Sequence, residues 1–321
     1  MNWRQSYEIH VTDKTSNNNL VELQTVKDFI RWAASEFSRA DLRFEHGMDN
    51  ALDEAVYLVL RSLHLPIDTP ANYWDGRLVA EERLHVLNII KQRISTRKPA
   101  AYLLNEGWFA GLPFYINENV LVPRSPIAEL IANQFSPWLD PDDTHAILDL
   151  CTGSGCIGIA CAYAFPGAQV DISDLSPLAI AVANENIKRH DLNNYVTAIE
   201  SDLFNALPKK QYDLIVSNPP YVDAEDMAAL SKEGQVEPAM GLAAGEDGLS
   251  IVHALLVQAA DYLTEQGVLV VEVGNSQYVL QQYYPDTPFE WQQFKQGGDG
   301  VFLLTKQQLE AMSSKKEYHE L

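Results

Sequence analysis

The chain has 321 residues, 46% hydrophobic and 21% charged, with three cysteines and a net charge of −21; this length favours two domains of ordinary globular composition. The acidity argues against a phosphate-binding surface, since no Lys/Arg cluster is larger than a pair such as Lys315-Lys316, so stable nucleic-acid binding is not expected and a basic protein partner would be steered toward this surface. No apolar run approaches a membrane span, the N-terminus lacks a signal-peptide core, and Cys151, Cys156 and Cys161 fit neither a disulfide framework nor a zinc spacing, which predicts a cytoplasmic chain with no membrane and no metal.

Residues 1–19 are polar, end in Ser16-Asn17-Asn18-Asn19, and read as an N-terminal arm. Apolar positions then recur at helical spacing over 20–37 (Leu20, Leu23, Val26, Phe29, Ile30, Ala33, Phe37), 53–63 and 80–97. Residues 20–100 are therefore expected to form a small helical bundle. After Pro99 the character changes. Trp108-Phe109 and Phe114-Tyr115-Ile116 flank Gly111-Leu112-Pro113, and Val120-Leu121-Val122 follows Asn117-Glu118-Asn119, which predicts short strands in a β-hairpin linker over 101–123. Its aromatic residues are either hairpin core or, for some, the wall of a peptide groove. Pro126 then suits the first turn of a helix running to about Phe135.

From Ala146 strand and helix alternate. Strands are expected at 146–150, 169–173, 196–199, 212–217 and 267–273, with helices over 156–165, 177–190 (capped by Ser176) and 251–263. Two last strands, 289–294 and 300–304, are joined by a Gly-rich turn. Residues 124–306 thus read as an α/β domain with a doubly wound, Rossmann-like, mostly parallel sheet and an antiparallel end. The tail, 307–321, reads as an exposed helix or a frayed end.

Two loops at strand ends carry chemistry. Asp149-Leu150-Cys151-Thr152-Gly153-Ser154-Gly155 follows the first strand and opens a helix, where glycines let backbone amides approach a ligand. Gly153, Gly155 and Gly158 match the dinucleotide pattern literally, with Asp174 about 20 residues on, so a nicotinamide enzyme competes at this point. Asp149, however, would repel a pyrophosphate and attract a cationic amino-acid ligand. Asp202 after the third strand can bond an adenine amino group. The second loop, Ser217-Asn218-Pro219-Pro220-Tyr221, ends the fourth strand. Its prolines fix their own φ and force Asn218 into an extended conformation. The result is either a structural turn or a stiff site of carbonyl acceptors and one aromatic face for a planar NH2 group. Glu272, at the end of the fifth strand, is a buried acid or a structural hydrogen-bond partner.

The ordered set Asp149, Gly153, Gly155, Asp174, Asp202 and Asn218 to Tyr221 resembles the class I S-adenosylmethionine-dependent methyltransferases, in the branch that methylates a planar NH2. Cys151 stands where that family usually has glycine, so the loop backbone there is expected to suit a non-glycine residue. Arg97-Lys98-Pro99, Trp108 to Tyr115 and Val120-Leu121-Val122-Pro123-Arg124 extend the resemblance to the protein-glutamine N5-methyltransferases, which carry a helical bundle joined by a β-hairpin. Ser125-Pro126 after Arg124 is similar to the branch acting on ribosomal protein L-three of the large subunit rather than on release factors. The resemblance implies S-adenosyl-L-methionine as cofactor, held by Asp149, Cys151, Thr152, Gly153, Ser154, Gly155, Asp174, Leu175, Asp202, Leu203 and Asn218. It implies Asn218, Pro219 and Tyr221 as catalytic, and Asn218, Pro219, Pro220, Tyr221 and Arg124 as substrate-binding. It implies L-three as partner, and the acidity of the chain points to its free or early-assembly form. Release-factor methylation, amino methylation of a nucleic-acid base and a non-catalytic scaffold are the alternatives. The segment Glu233-Gly234-Gln235-Val236-Glu237-Pro238 keeps the ends of the family's Glu-Tyr-Arg-x-Glu-Pro and loses its middle.

Overall fold

A computed structural model describes residues 22–295 and 297–314. The expected N-terminal arm and the last seven residues lie outside the described residues. The chain divides into two compact units, the first ending at Leu104 and the second beginning at Asn105.

The first unit contains helices α1 (Val26–Arg39), α2 (Ala51–Ser62), α3 (Ala80–Thr96) and the short α4 (Ala100–Leu104). Helix α1 begins later than its apolar pattern, because Thr25 and Asp28 form a capping box that sets the first turn. Asn50 caps α2 by accepting from the amides of Leu52 and Asp53. Phe29, Phe37, Leu58, Leu60, Leu87 and Ile90 fill the core between them. Buried beside this core, Arg93 donates from Nε to Glu54 at 2.5 Å and from Nη2 to the Arg43 carbonyl at 3.1 Å, so the ion pair is also hydrogen-bonded, as burial requires.

The second unit opens with the hairpin β1 (Gly107–Phe109) and β2 (Leu112–Phe114), antiparallel through an Ala110-Gly111 turn. Phe109 and Phe114 are buried, as core; Trp108 is largely exposed. Val120-Leu121-Val122 is not a strand. The Val122 amide bonds a carboxylate, that of Glu237, at 3.0 Å instead of a ladder partner. Helix α5 spans only Ile127–Ala132, and Gln134 and Phe135 beyond it have positive φ.

Strands β3 (Ala146–Leu150), β4 (Gln169–Asp174), β5 (Val196–Glu200), β6 (Tyr212–Ser217) and β7 (Leu263–Glu272) are parallel. Strands β8 (Glu290–Trp291) and β9 (Val301–Thr305) complete a seven-stranded sheet in the order β5-β4-β3-β6-β7-β9-β8, with β9 antiparallel to both its neighbours. Helix α6 (Cys156–Ala164) follows β3, α7 (Pro177–Arg189) follows β4, and α9 (Ser250–Tyr262) precedes β7. The sequence left two short helices unread, α8 (Ala224–Ala229) and α10 (Gln277–Tyr283). The tail helix α11 (Lys306–Ser314) is present but not exposed in the way expected: Leu309 and Met312 join the core formed by α9 and the sheet. Order reverses between β3 and β6, so the crevice of a doubly wound sheet lies between the loops that leave those two strands. These are the two loops singled out above.

Candidate active site

Asp149 is fully buried in β3. Its Oδ2 accepts from the Thr152 hydroxyl and, at 2.9 Å, from the Gly158 amide. Its Oδ1 has no hydrogen-bond partner. Burial therefore outweighs those two donors and pushes its carboxyl up to about 7. Gly158 allows this arrangement. A Cβ there would stand 2.2 Å from Ile172 Cγ2 and 3.2 Å from Asp149, so α6 rests directly on β3 and β4. The third glycine of the dinucleotide-like pattern is thus a packing glycine.

The turn itself is left-handed at three places: Cys151 (φ +58°), Gly153 (+56°) and Gly155 (+82°). The sequence led us to expect a backbone at Cys151 that suits a non-glycine residue; it has instead the conformation in which glycine is favoured. Nothing lies within 4 Å of where a Gly153 Cβ would stand, so one face of the turn is open. Asp174 closes the turn from β4, taking the Gly153 amide on Oδ2 and the Ser176 amide on Oδ1, both at 2.9 Å. Burial raises its pKa against those bonds. Leu175 beside it is exposed, and so is Asp202; Leu203 has φ +47° and its carbonyl accepts from Ser201.

One residue of this region carried no signal in the sequence. Asn186, fully buried in α7, accepts from the Tyr115 amide at 2.7 Å and donates to the Tyr115 and Ser154 carbonyls at 3.0 and 2.8 Å. It fastens the exit of the hairpin to the glycine turn. A polar residue inside an amphipathic helix looks like a surface residue until its partners, 71 and 32 residues away, are known.

In the second loop Asn218 is half-buried and Pro219 buried. Among the described residues, neither the Asn218 side-chain amide nor the Pro219 carbonyl has a hydrogen-bond partner. Tyr221 is held at several points. Its hydroxyl donates to Glu272 Oε1 at 2.9 Å, and its carbonyl accepts from Ser276 at 3.2 Å. A Cβ on Gly274 would stand 2.6 Å from its ring. Burial and the neighbouring Glu272 carboxylate push its phenol far up. Glu272 also accepts from Ser125 Oγ at 2.5 Å, so its structural reading, as a hydrogen-bond partner, is the one observed. Arg124 sits beside this cluster but is already engaged: Nη1 and Nη2 donate to Glu237 Oε1 and Oε2 at 2.8 and 2.6 Å. Glu237 is one of the two retained ends of the altered insertion, and this fork shows what that end holds. No group of His, Cys, Asp or Glu able to hold a metal occurs among the described residues. No described helix is long and apolar enough to cross a membrane.

Residues 130–237 match the model of the methyltransferase small domain. The chain is 50% identical over 288 residues to the ribosomal protein uL3 glutamine methyltransferase of Francisella tularensis subsp. tularensis, which covers 89% of this chain and 92% of that one. It is 46% identical over 294 residues to the enzyme of the same name from Bordetella pertussis, covering 91% and 99%. The chain belongs to the uL3 glutamine methyltransferase family. Among solved structures, a methyltransferase from Pyrococcus furiosus is similar over 61% of this chain and 89% of that one, at 18% identity and a TM-score of 0.44.

The chain is thus a methyltransferase, and its seven-stranded sheet with one antiparallel strand is the class I arrangement expected from the sequence. The residues at the strand ends fit the expected S-adenosylmethionine. The turn after β3 is open at Gly153. Asp174 has spent one hydrogen bond per oxygen and can still accept, Asp202 and Leu175 are exposed beside it, and buried Asp149 offers negative charge. Buried Asp149, with one oxygen unpaired, lies beneath the turn where a pyrophosphate would sit, and the relatives are methyltransferases, so the nicotinamide reading is set aside.

Proposed function

We propose that this enzyme transfers a methyl group from S-adenosylmethionine to the side-chain amide nitrogen of one glutamine in ribosomal protein uL3 (L-three), and does so on the free or early-assembly form. The names of the two relatives support the substrate. The observation that carries the chemistry is the pair of unengaged acceptors, Asn218 Oδ1 and the Pro219 carbonyl, on a loop stiffened by Pro219 and Pro220 at the edge of the sheet crevice.

An amide nitrogen is a poor nucleophile because its lone pair is delocalised into the carbonyl. When bound, S-adenosylmethionine supplies a sulfonium-activated methyl group, so the enzyme's own contribution is orientation and electrostatics. Asn218 Oδ1 and the Pro219 carbonyl each accept one of the two amide hydrogens. That fixes the NH2 plane and polarises nitrogen toward the nucleophile it must become. Tyr221 presents its ring to the flat amide, with its hydroxyl committed to Glu272. No side chain need remove a proton beforehand; the proton of the methylated amide leaves to water. Asp149, Cys151, Thr152, Gly153, Ser154, Gly155, Asp174, Leu175, Asp202 and Leu203 form the cofactor's side of the crevice. Arg124 serves the substrate side through its fork to Glu237, which sets the entry to the loop. A chain of charge −21 attracts a basic ribosomal protein before assembly buries the target.

The test is transfer of labelled methyl from the cofactor to purified uL3, release factor and ribosomal RNA, with the label located by mass spectrometry. Label in a uL3 glutamine is expected; label only in release factor or RNA refutes the assignment. Asn218→Ala should lower turnover by about 100-fold or more, the scale of one lost orienting donor or acceptor, with cofactor affinity nearly unchanged in a binding titration. Loss of both together would give Asn218 a structural role instead.

A further inference from the structure

Glu272 is a buried carboxylate that the transfer chemistry above leaves without a direct task. Its two oxygens are divided between two hydroxyls from distant parts of the chain, Tyr221 on Oε1 and Ser125 on Oε2, 51 and 147 residues away. Both hydroxyl protons are directed into it. Ser125 Oγ also accepts the Ile127 amide at 3.2 Å, so its own hydrogen is free only for Glu272. Tyr221 Oη has no second partner among the described residues. The surrounding backbone confines the same ring. Gly274, two residues past Glu272, has φ +48° and leaves no room for a Cβ beneath the ring; a Cβ on Gly248 would stand 2.3 Å from the Tyr221 carbonyl. Gly300 in turn lies so close to Gly274 that a Cβ would stand 2.1 Å from its carbonyl oxygen. The catalytic-loop tyrosine is thus clamped by carboxylate at its tip and by glycine backbone at its face and its carbonyl.

We propose that Glu272 and Ser125 are positioning residues for methyl transfer: one carboxylate takes both hydroxyl protons and so fixes the Tyr221 ring as the wall against which the substrate amide lies flat. This rests on the glutamine-methylating reading of the loop. Ser125 follows Arg124 directly, so the turn of residues 123–126 is tied to the catalytic loop through Glu272 and to the insertion through Glu237. With its proton held by Glu272, the phenol takes no part in proton transfer and acts by shape alone. Because about 1 Å of misplacement costs on the order of 100-fold, loss of one restraint among several should cost about tenfold or less.

The experiment measures kcat and KM for full-length enzyme on free uL3, with cofactor affinity measured separately by titration. Tyr221→Phe and Glu272→Gln should each lower kcat by about tenfold, with cofactor affinity changed by less than about twofold; the Tyr221→Phe/Glu272→Gln pair should be no slower than either single variant, as residues acting as one unit require. Ser125→Ala should lower kcat by about threefold and Ser125→Thr should restore it, a rescue that general destabilisation would not give. Single variants at wild-type kcat, multiplicative losses in the pair, or a Thr variant no better than Ala would each overturn the proposal. Should Glu272→Gln fail to fold, Tyr221→Phe and the Ser125 pair carry the test alone. Wild-type enzyme inactive on uL3 refutes the underlying reading, whereas an active wild type with indifferent variants refutes only the positioning role.

Discussion

Replacing Asp149 by Asn separates the cost of a buried charge from the rest of the site. The carboxyl of Asp149 lies near 3.8 in the unfolded chain and at about 7 in the folded one. Between those values the folded chain keeps a proton that the unfolded chain has released. Stability therefore falls as pH rises through that window and levels off above it. At about 1.36 kcal/mol per pH unit, the ionised carboxylate costs about 4 kcal/mol by pH 8, and about 3 kcal/mol of that accrues between pH 5 and pH 8. In Asp149→Asn the amide oxygen can take the place of Oδ2 and accept from Thr152 and Gly158. The NH2 then takes the place of Oδ1, which has no partner. That orphan costs about 1–3 kcal/mol at every pH.

The decisive quantity is consequently a difference of differences. Wild type and Asp149→Asn are unfolded in urea at pH 5 and pH 8, in cofactor-free buffer, and followed by tryptophan fluorescence. All other titrating groups cancel. The variant should gain on wild type by about 3 kcal/mol between the two pH values, whatever its absolute stability. A gap that stays constant, or that moves the other way, would mean that Asp149 is ionised throughout this range, and the account of its environment would fall. In the same variant, affinity for the cationic cofactor should drop at pH 8 and change little at pH 5, where neither protein carries the charge.

Cys151→Gly relieves a left-handed φ of +58° and removes only a small, half-buried side chain; the chain should gain about 0.5–1 kcal/mol in a denaturant titration. Arg124→Met leaves Glu237, whose side chain is 1% exposed, without its fork, and should cost about 3 kcal/mol, part of which Arg124→Met/Glu237→Gln recovers. Gly158→Ala puts a methyl 2.2 Å from Ile172 Cγ2, so overpacking should lower stability by about 1–3 kcal/mol and weaken cofactor binding through the displaced turn.

Much of the α/β unit was legible because its signals are local. Strands such as Ile147-Leu148 and Leu214-Ile215-Val216 are short apolar runs closed by turn residues. Ser176 announces its own helix by capping it, and it accepts the Ala179 amide as a cap should. What the sequence hid depends on partners far along the chain. Arg124 reads as a free cation until Glu237 is placed against it, 113 residues away. Val120-Leu121-Val122 has strand composition, yet its ladder position is taken by that same carboxylate. Asn186 follows Asn184 and Glu185 inside a helix and so reads as one more surface residue. Helix α11 was misread for a different reason: Leu309 and Met312, three apart, are a narrow apolar stripe among glutamines, and only the contact with α9 and the sheet shows that the stripe is enough to bury it.

The two ends of the parallel sheet treat their acids in opposite ways, and the contrast locates function independently of any motif. At the amino end, Asp213 in β6 receives the amides of His145 and Ala146 and the Thr264 hydroxyl, so its carboxylate is fully employed in joining β3, β6 and β7. At the carboxyl end, Asp149 leaves one oxygen unpaired and Glu272 is shut in with two hydroxyls. Burial raises both carboxyls. An amide at Asp149 would cost the fold less at neutral pH. Two such expenditures at one edge of the crevice, and none in the hydrogen bonding of Asp213 at the other, mark the edge where stability has been given up for binding and orientation. Asn218 stands on that edge, with acceptors that the protein itself leaves unused.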